Sequence, residues 1–148
     1  MLVDSHCHLD HLNLDDNHSS LSSILDDARQ RGVGAFLGVG VDLDSSARLI
    51  ELAESNRDVL VSVGVHPLQE TLPALPEPDD LIRIASHPAV VAVGETGLDN
   101  YYSPDSAAWQ EESFIRHLKV ADQLNKPVVV HTRQAQQQTL AILPAHAN

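Results

Sequence analysis

The sequence predicts an α/β fold of parallel strands and helices that alternate along the chain. Five short apolar segments each precede a longer segment with helical periodicity. The apolar segments are continuous instead of alternating with polar residues, which is typical of parallel strands covered by helices. The chain has 148 residues, of which 43% are hydrophobic, and it suits one globular domain over residues 1–148.

The individual elements are predicted from periodicity and from residues that start or stop helices. The strands are the apolar runs 2–8, 34–41, 59–65, 89–94 and 127–131. The first helix is expected between a cap at Ser19 or Ser20 and Gly32, which can end a helix in the left-handed conformation. Between them, apolar residues recur at the spacing i, i+3, i+4 and i+7. Later helices are predicted over about 45–56, 79–86, 106–124 and 134–143, and Pro144 is expected to interrupt the last one.

Two architectures match five strand–helix units. A complete (β/α)₈ barrel has about 250 residues, or ~31 per unit, so five units need ~155 residues. The chain, with 148 residues, is close to that length. A complete doubly wound, flavodoxin-like domain is equally compatible. Periodicity alone leaves both architectures open.

Composition excludes several classes of protein. The formal net charge is −12, from 21 acidic and 9 basic residues, so a basic patch for nucleic acid is not expected. No apolar run approaches the ~18 residues needed to cross a membrane, and the first residues do not resemble a signal peptide. The single cysteine, Cys7, forms no internal disulfide and reads as a small buried hydrophobe. The cytoplasm is therefore the expected location.

Unusual polar residues follow the predicted strands at their carboxyl ends, where parallel α/β folds carry their chemistry. Side chains alternate along a strand, so His6 and His8 share one side and Cys7 faces the other. Imidazoles suit Zn, Fe or Ni, carboxylates suit Mg or Mn, and a carboxylate can bridge two cations. The pattern therefore predicts a metal site. The strand-end residues are His6, His8, His66, Glu95, Asp99, His131 and Arg133.

Two charged residues near this edge have two interpretations each. The planar guanidinium of Arg133 could hold a phosphate group, or it could form a salt bridge with an acid such as Asp99. Asp10 could accept a hydrogen bond from a metal-ligating imidazole and so orient it, or it could be an ordinary loop aspartate.

Four motifs in this order, "LVDSHCHLD", "GVHP", "GETGLD" and "PVVVHTR", resemble the TatD-type metal-dependent deoxyribonucleases of the amidohydrolase superfamily. The resemblance covers the whole chain and implies a (β/α)₈ barrel. It also implies two divalent metal ions (Mg, Mn or Zn), with DNA or another phosphoester as the substrate. Carried over by residue, it implies that His6 and His8 bind one metal, that Glu95 bridges both metals and serves catalysis, and that His131 binds the second. His66 and Arg133 are weaker candidates for substrate binding.

The family pattern continues beyond the matched motifs, with a further histidine ligand and a late aspartate thought to activate water. The chain ends at Asn148, before both, so we expect about the first five units, the N-terminal portion of a barrel. Two functions stay open at this point. One is a hydrolase of phosphodiester bonds or of another ester or amide. The other is a truncated, inactive fragment with partial metal binding, and the open edges of either could associate with other copies.

Overall fold

The computed structural model describes residues 2–12, 20–69 and 71–146. Five strands alternate with five helices, and short 3₁₀ turns at Leu9–His11 and Pro104–Ser106 precede α1 and α4. The strands are β1 (Leu2–Cys7), β2 (Val33–Val39), β3 (Val59–Val63), β4 (Val90–Asp99) and β5 (Val128–Arg133). The helices are α1 (Leu21–Gln30), α2 (Leu43–Ser55), α3 (Pro78–Ala85), α4 (Ala107–Leu124) and α5 (Gln136–His146).

The order of the strands decides between the two architectures. All four neighbouring pairs are parallel, and the sheet runs β1-β2-β3-β4-β5. A doubly wound sheet reverses its strand order at a switch point, whereas a (β/α)₈ barrel adds each strand beside the preceding one. The sheet is therefore a curled half-barrel, and the predicted partial barrel is confirmed.

Close backbone contacts form the inner face of this curl. The amide N–H of Glu95 on β4 donates to the carbonyl oxygen of Gly40, which follows β2, over 3.0 Å. A Cβ atom on Gly64 would lie 2.5 Å from the backbone of Gly94. Only glycine allows the backbones of Gly64 and Gly94 to approach so closely, and this brings the residues that follow β2 and β3 to the middle of β4.

The helices pack on the outside of the sheet around a continuous apolar core. Its centre joins the helix-facing residues of β2, β3 and β4 to one face of α2 and α3, and Val61, Val63, Leu49 and Leu81 have no exposed surface. A second cluster around Phe114 packs α4 against the end of β4 and against α5. Burial of this kind contributes roughly 25 cal/mol for each Å² of apolar surface removed from water.

The helix ends follow the predicted chemistry in most places. Ser20 caps α1, and its hydroxyl accepts from the amide of Ser23 while the Ser23 hydroxyl faces the amide of Ser20, a reciprocal capping box. The alternative cap, Ser19, lies outside the described residues. Gly32 has the expected left-handed conformation, with φ of 95°. Asp42 caps α2, which begins two residues earlier than predicted.

Most element ends lie within two residues of the prediction, but the ends of β4 and α5 differ from it by three residues or more. Strand β4 does not stop at Gly94 but continues to Asp99, because residues 96–99 pair in register with 130–133 of β5. Helix α5 is not interrupted by Pro144 and runs on to His146. A proline so close to a helix end removes one hydrogen bond of the last turn and leaves the rest of the helix intact.

In the described part of the chain, none of the helices combines the length and the apolar character that a membrane crossing requires.

Candidate metal centre

Glu95 is the centre of a cluster of imidazoles at the carboxyl ends of the strands. The residue is only 7% exposed. One carboxylate oxygen, Oε2, lies 3.2 Å from Nε2 of His6 and 3.8 Å from Nε2 of His8. These donor atoms belong to a group that could hold one metal ion, within 4.8 Å of one another.

The other carboxylate oxygen of Glu95, Oε1, faces a second group of donors. It lies 3.2 Å from Nδ1 of His131 and 3.6 Å from Nε2 of His66. The two histidine nitrogens are 3.1 Å apart. Ligands at ~2.0–2.2 Å from one ion have mutual distances similar to these. The structure thus gathers all four residues expected as ligands, and it places His66 beside them.

The tautomer of His8 suits a metal ligand. Its Nδ1 lies 3.1 Å from the carbonyl oxygen of Val39, which can only accept, so Nδ1 carries the proton and donates. The lone pair is then on Nε2, the atom that faces Glu95. A ligand histidine is commonly fixed in this way by a carbonyl group behind it.

Asp99 fixes His131 in the same manner. Its Oδ2 accepts a hydrogen bond from Nε2 of His131 over 3.0 Å, so the lone pair of the neutral imidazole is on Nδ1, towards Glu95. Its Oδ1 accepts from the backbone N–H groups of Tyr101 and Tyr102 over 3.0 and 2.7 Å. Asp99 has no exposed surface. It is therefore the carboxylate that orients an imidazole of the cluster.

Sequence reasoning gave that orienting role to Asp10 as one of two options, and the structure does not support it. Oδ2 of Asp10 lies 3.0 Å from a guanidinium nitrogen of Arg48 and 3.5 Å from Nε2 of His11, and its bonds in the described residues include none to His6 or His8. The signal that could have identified Asp99 is strand parity, because Glu95, Gly97 and Asp99 share one side of β4 once the strand is extended.

Arg133 is the last residue of β5, two positions after His131, and its guanidinium lies beside two exposed aromatic rings. Its central carbon is 4.9 Å from the ring centre of Tyr101 and 4.6 Å from that of Tyr102. The suggested salt bridge with Asp99 is not found in the described residues, because both oxygens of that carboxylate are engaged elsewhere. Arg133 is exposed, and cation–π contact holds its planar group in place.

The cluster keeps its carboxylates ionised. Burial raises the pKa of Glu95, but hydrogen bonding to His131 and His66 and the positive charges of the surrounding imidazoles outweigh it and lower the pKa well below its usual range. In this metal-free arrangement His131 is doubly protonated and donates to Glu95 through Nδ1 as well as to Asp99 through Nε2. Hydrogen bonding to Glu95 raises the pKa of His131, with a further contribution from Asp99. The pKa of Asp99 is lowered by its backbone and histidine donors despite its burial. Anionic oxygens beside imidazole nitrogens are a donor set that divalent metals fit.

One buried side chain of helix α4, His117, positions the loop that carries His66. His117 has no exposed surface, and its Nδ1 donates to the carbonyl oxygen of Ser113 over 2.7 Å. Its Nε2 therefore accepts, and it takes the amide N–H of Val65 over 3.0 Å. Val65 immediately precedes His66, so this bond positions the loop at the end of β3.

A solvent-open cleft of about 560 Å³ adjoins the cluster between the ends of β1, β2 and β3. His8 and His66 form part of its lining, together with Gln69. A molecule in this cleft would contact residues of both donor groups.

Comparison with known proteins gives a consistent assignment. The family model described as "TatD related DNase" matches residues 3–148. The chain is 45% identical over 142 residues to the "Uncharacterized metal-dependent hydrolase YcfH" of Escherichia coli strain K12, covering 96% of this chain and 53% of that protein. It is 36% identical over 149 residues to the "Uncharacterized metal-dependent hydrolase TatD" of Mycobacterium tuberculosis, covering 97% of this chain and 56% of that protein.

A solved structure agrees with the fold. The crystal structure of YJJV, a TatD homologue from Escherichia coli K12, superposes with a TM-score of 0.79 at 26% identity, covering 97% of this chain and 55% of that one. The chain thus spans about half the length of the relatives that it matches.

Proposed function

The chain belongs to the TatD family of metal-dependent hydrolases, and we propose that its site serves the hydrolysis of phosphodiester bonds, with DNA as the substrate class. The observation that carries this proposal is the buried carboxylate of Glu95, whose two oxygens face two separate sets of imidazoles. Such a carboxylate can bridge two cations. The choice of DNA as the substrate class follows the family description, which names a DNase.

The proposed ligands are His6, His8 and Oε2 of Glu95 for one divalent cation, and Oε1 of Glu95 with His131 for another. Mg, Mn and Zn all accept mixed oxygen and nitrogen donors of this kind. Two cations bound side by side would supply an activated water and would stabilise charge on the phosphoryl oxygens.

The chain's own residues then orient the ligands and hold the substrate. Asp99 and the carbonyl of Val39 direct the lone pairs of His131 and His8 towards Glu95. Arg133, whose guanidinium lies beside the rings of Tyr101 and Tyr102, is proposed to contact a phosphate by its planar fork. A local positive charge is needed there, because the formal net charge of −12 repels a polyanion.

As a second function, we propose metal binding without catalysis for residues 1–148 taken alone. The chain spans about half of its relatives, and we propose that residues 1–148 form one domain, the N-terminal portion of a longer barrel. The resemblance assigns the water-activating residue to the part beyond these motifs, and a polypeptide of residues 1–148 alone would lack that base, whose loss lowers rates by ~10²–10⁴. The reading frame downstream of codon 148 tests the domain assignment directly. The cytoplasmic location stays a prediction.

Titration calorimetry with Mn²⁺ on chelator-treated protein tests the site. We expect two ions to bind to the unchanged chain and both affinities to fall in Glu95→Ala. Glu111→Ala, which removes an exposed carboxylate on α4, serves as the matched control and should bind as the unchanged chain does. Binding that is insensitive to Glu95→Ala, or that involves one ion only, would contradict the bridging role.

Cleavage of a single-stranded DNA oligonucleotide separates the two functions. Hydrolysis that a chelator and Glu95→Ala both abolish supports the nuclease. Two ions bound with no detectable cleavage supports the non-catalytic alternative.

A further inference from the structure

We propose that Gln110 is a positioning residue of the metal centre, and that its side-chain amide holds Asp99 where the carboxylate of Asp99 orients His131. Gln110 lies near the start of α4 and has no exposed surface. Its side-chain hydrogen bonds in the described part of the chain go to Asp99, Ser103 and Ser106. The inference rests on the proposed metal site and adds to it a residue that belongs to neither donor group.

The amide of Gln110 bonds the main chain of Asp99 as a neighbouring strand would. In the described residues, β3 pairs with β4 as far as Val93, whereas β5 pairs with β4 up to Asp99. On the side without a strand, Oε1 of Gln110 accepts from the N–H of Asp99 over 2.7 Å, and Nε2 donates to the carbonyl oxygen of Asp99 over 3.2 Å. Buried main-chain groups without partners are strongly unfavourable, so these two bonds hold the end of β4.

The same amide also closes the loop that follows β4. Nε2 of Gln110 donates to the carbonyl oxygen of Ser103 over 2.8 Å and to Oγ of Ser106 over 2.7 Å. The Ser106 hydroxyl gives its own proton to the carbonyl oxygen of Ser103 over 3.0 Å, so its oxygen is free to accept. One buried side chain therefore ties both ends of the segment 99–106 to α4.

This segment determines the direction of the Asp99 carboxylate. Oδ1 is held by the N–H groups of Tyr101 and Tyr102, which leaves Oδ2 to accept from Nε2 of His131 over 3.0 Å. A carboxylate behind a metal-binding imidazole typically changes metal affinity by ~10–100-fold. Because Gln110 fixes the main chain of Asp99 and the loop that holds Oδ1, loss of its amide should reach the metal through that carboxylate.

Titration calorimetry with Mn²⁺ compares two variants with a matched control. Gln110→Met keeps the size of the side chain and removes its hydrogen bonds, and we expect the affinity for one ion to fall roughly tenfold. Gln110→Glu keeps an oxygen that can accept from the N–H of Asp99, so its affinity should fall by less. Leu49→Ala opens a cavity in the core beside α2, far along the chain from Asp99, and should lower stability without changing either affinity.

A double-mutant cycle distinguishes positioning from a general loss of structure. If Gln110 acts through Asp99, adding Gln110→Met to Asp99→Asn should lower the Mn²⁺ affinity by less than about twofold beyond Asp99→Asn alone. Additive losses would overturn the proposal, because Gln110 would then affect the metal by a route that does not involve the Asp99 carboxylate.

Proton NMR of the metal-free protein gives a second readout that needs no metal. The Nε2–H of His131 donates to Asp99, and its exchange with water should be faster in Gln110→Met than in the unchanged chain or in Leu49→Ala. An unchanged exchange rate, or an unchanged Mn²⁺ affinity, would overturn the proposal. If Gln110→Met does not fold, the same criteria apply to Gln110→Glu.

Failure of the proposed metal site gives a different result. Mn²⁺ binding that does not depend on Glu95, or no binding at all, would contradict the site itself. In either case the exchange rate of the His131 proton still decides whether Gln110 holds Asp99 in place.

Discussion

Buried His117 makes the stability of the metal-free protein depend on pH in a direction that the structure determines. Burial lowers the pKa of His117 to about 4 from an ordinary value of 6.5, although the carbonyl of Ser113 opposes the shift. Between these two values the unfolded chain binds a proton that the folded chain does not. The free energy of unfolding therefore falls as the pH is lowered through this window, and the contribution of His117 changes no further below it.

The size of the effect follows from the same two values. One pKa unit corresponds to about 1.4 kcal/mol, so a pKa displaced from 6.5 to about 4 gives a loss of about 3 kcal/mol across the window. Protonation of His117 lowers the stability of the folded state because a doubly protonated imidazole can no longer accept the N–H of Val65 at Nε2.

Urea unfolding in the presence of a chelator measures this contribution, with His117→Gln as the reference. Glutamine can still accept from the amide of Val65 but does not titrate, so other titrating groups affect both proteins alike. We expect the stability difference between the two proteins to shift by about 3 kcal/mol in favour of the variant as the pH falls from neutral to about 4. Parallel pH profiles would show that His117 is solvated or charged in the folded state.

Three further predictions concern the site and the sheet edges. Asp99→Asn should weaken the binding of one Mn²⁺ by ~10–100-fold without unfolding the chain, and unchanged calorimetric affinity would exclude an orienting role. Gly97→Ala should lower the midpoint of thermal unfolding, since Gly97 has φ of 142° and a Cβ there would collide with the carbonyl oxygen of His131. Backbone strain at such a φ alone destabilises the folded state by ~1–3 kcal/mol. An unchanged midpoint would refute the close approach of the two strands. The purified chain should self-associate through the unpaired side of β1, where Leu2 and Val3 are 63% and 56% exposed, and a monomer that persists at high concentration in light scattering would disprove this.

The sequence predicts the strand and helix order well because periodicity and capping are local properties. The five continuous apolar runs correspond to the five strands. Ser20 caps the start of α1 and Gly32 follows its end, as their local helix-capping properties predict. The choice between a barrel and a doubly wound sheet is not local. It depends on which strands pair, and only the family resemblance favoured the barrel before the strand order was known.

Within the site, sequence parity identifies which residues share a side but not which atoms they present. His8 and His66 both follow apolar strands, and nothing in their spacing distinguishes a ring with its lone pair on Nε2 from one with its proton there. That difference depends on the backbone group behind each ring, the carbonyl of Val39 in one and the amide of Leu68 in the other. Loop conformation sets these partners, so they are available only from a structure.

The extension of β4 beyond Gly94 brings Glu95 and Asp99 to the two nitrogens of the same imidazole, that of His131. Pairing of residues 96–99 with β5 places Gly97 opposite His131, where the absence of a side chain allows the two strands to approach. The same pairing carries Asp99 to the far nitrogen of His131 while Glu95 faces the near one. One strand thus provides both the carboxylate that would bind metal and the carboxylate that orients its neighbouring ligand. The spacing of these two groups is fixed by the strand itself, so a change in β4 register would disable both together.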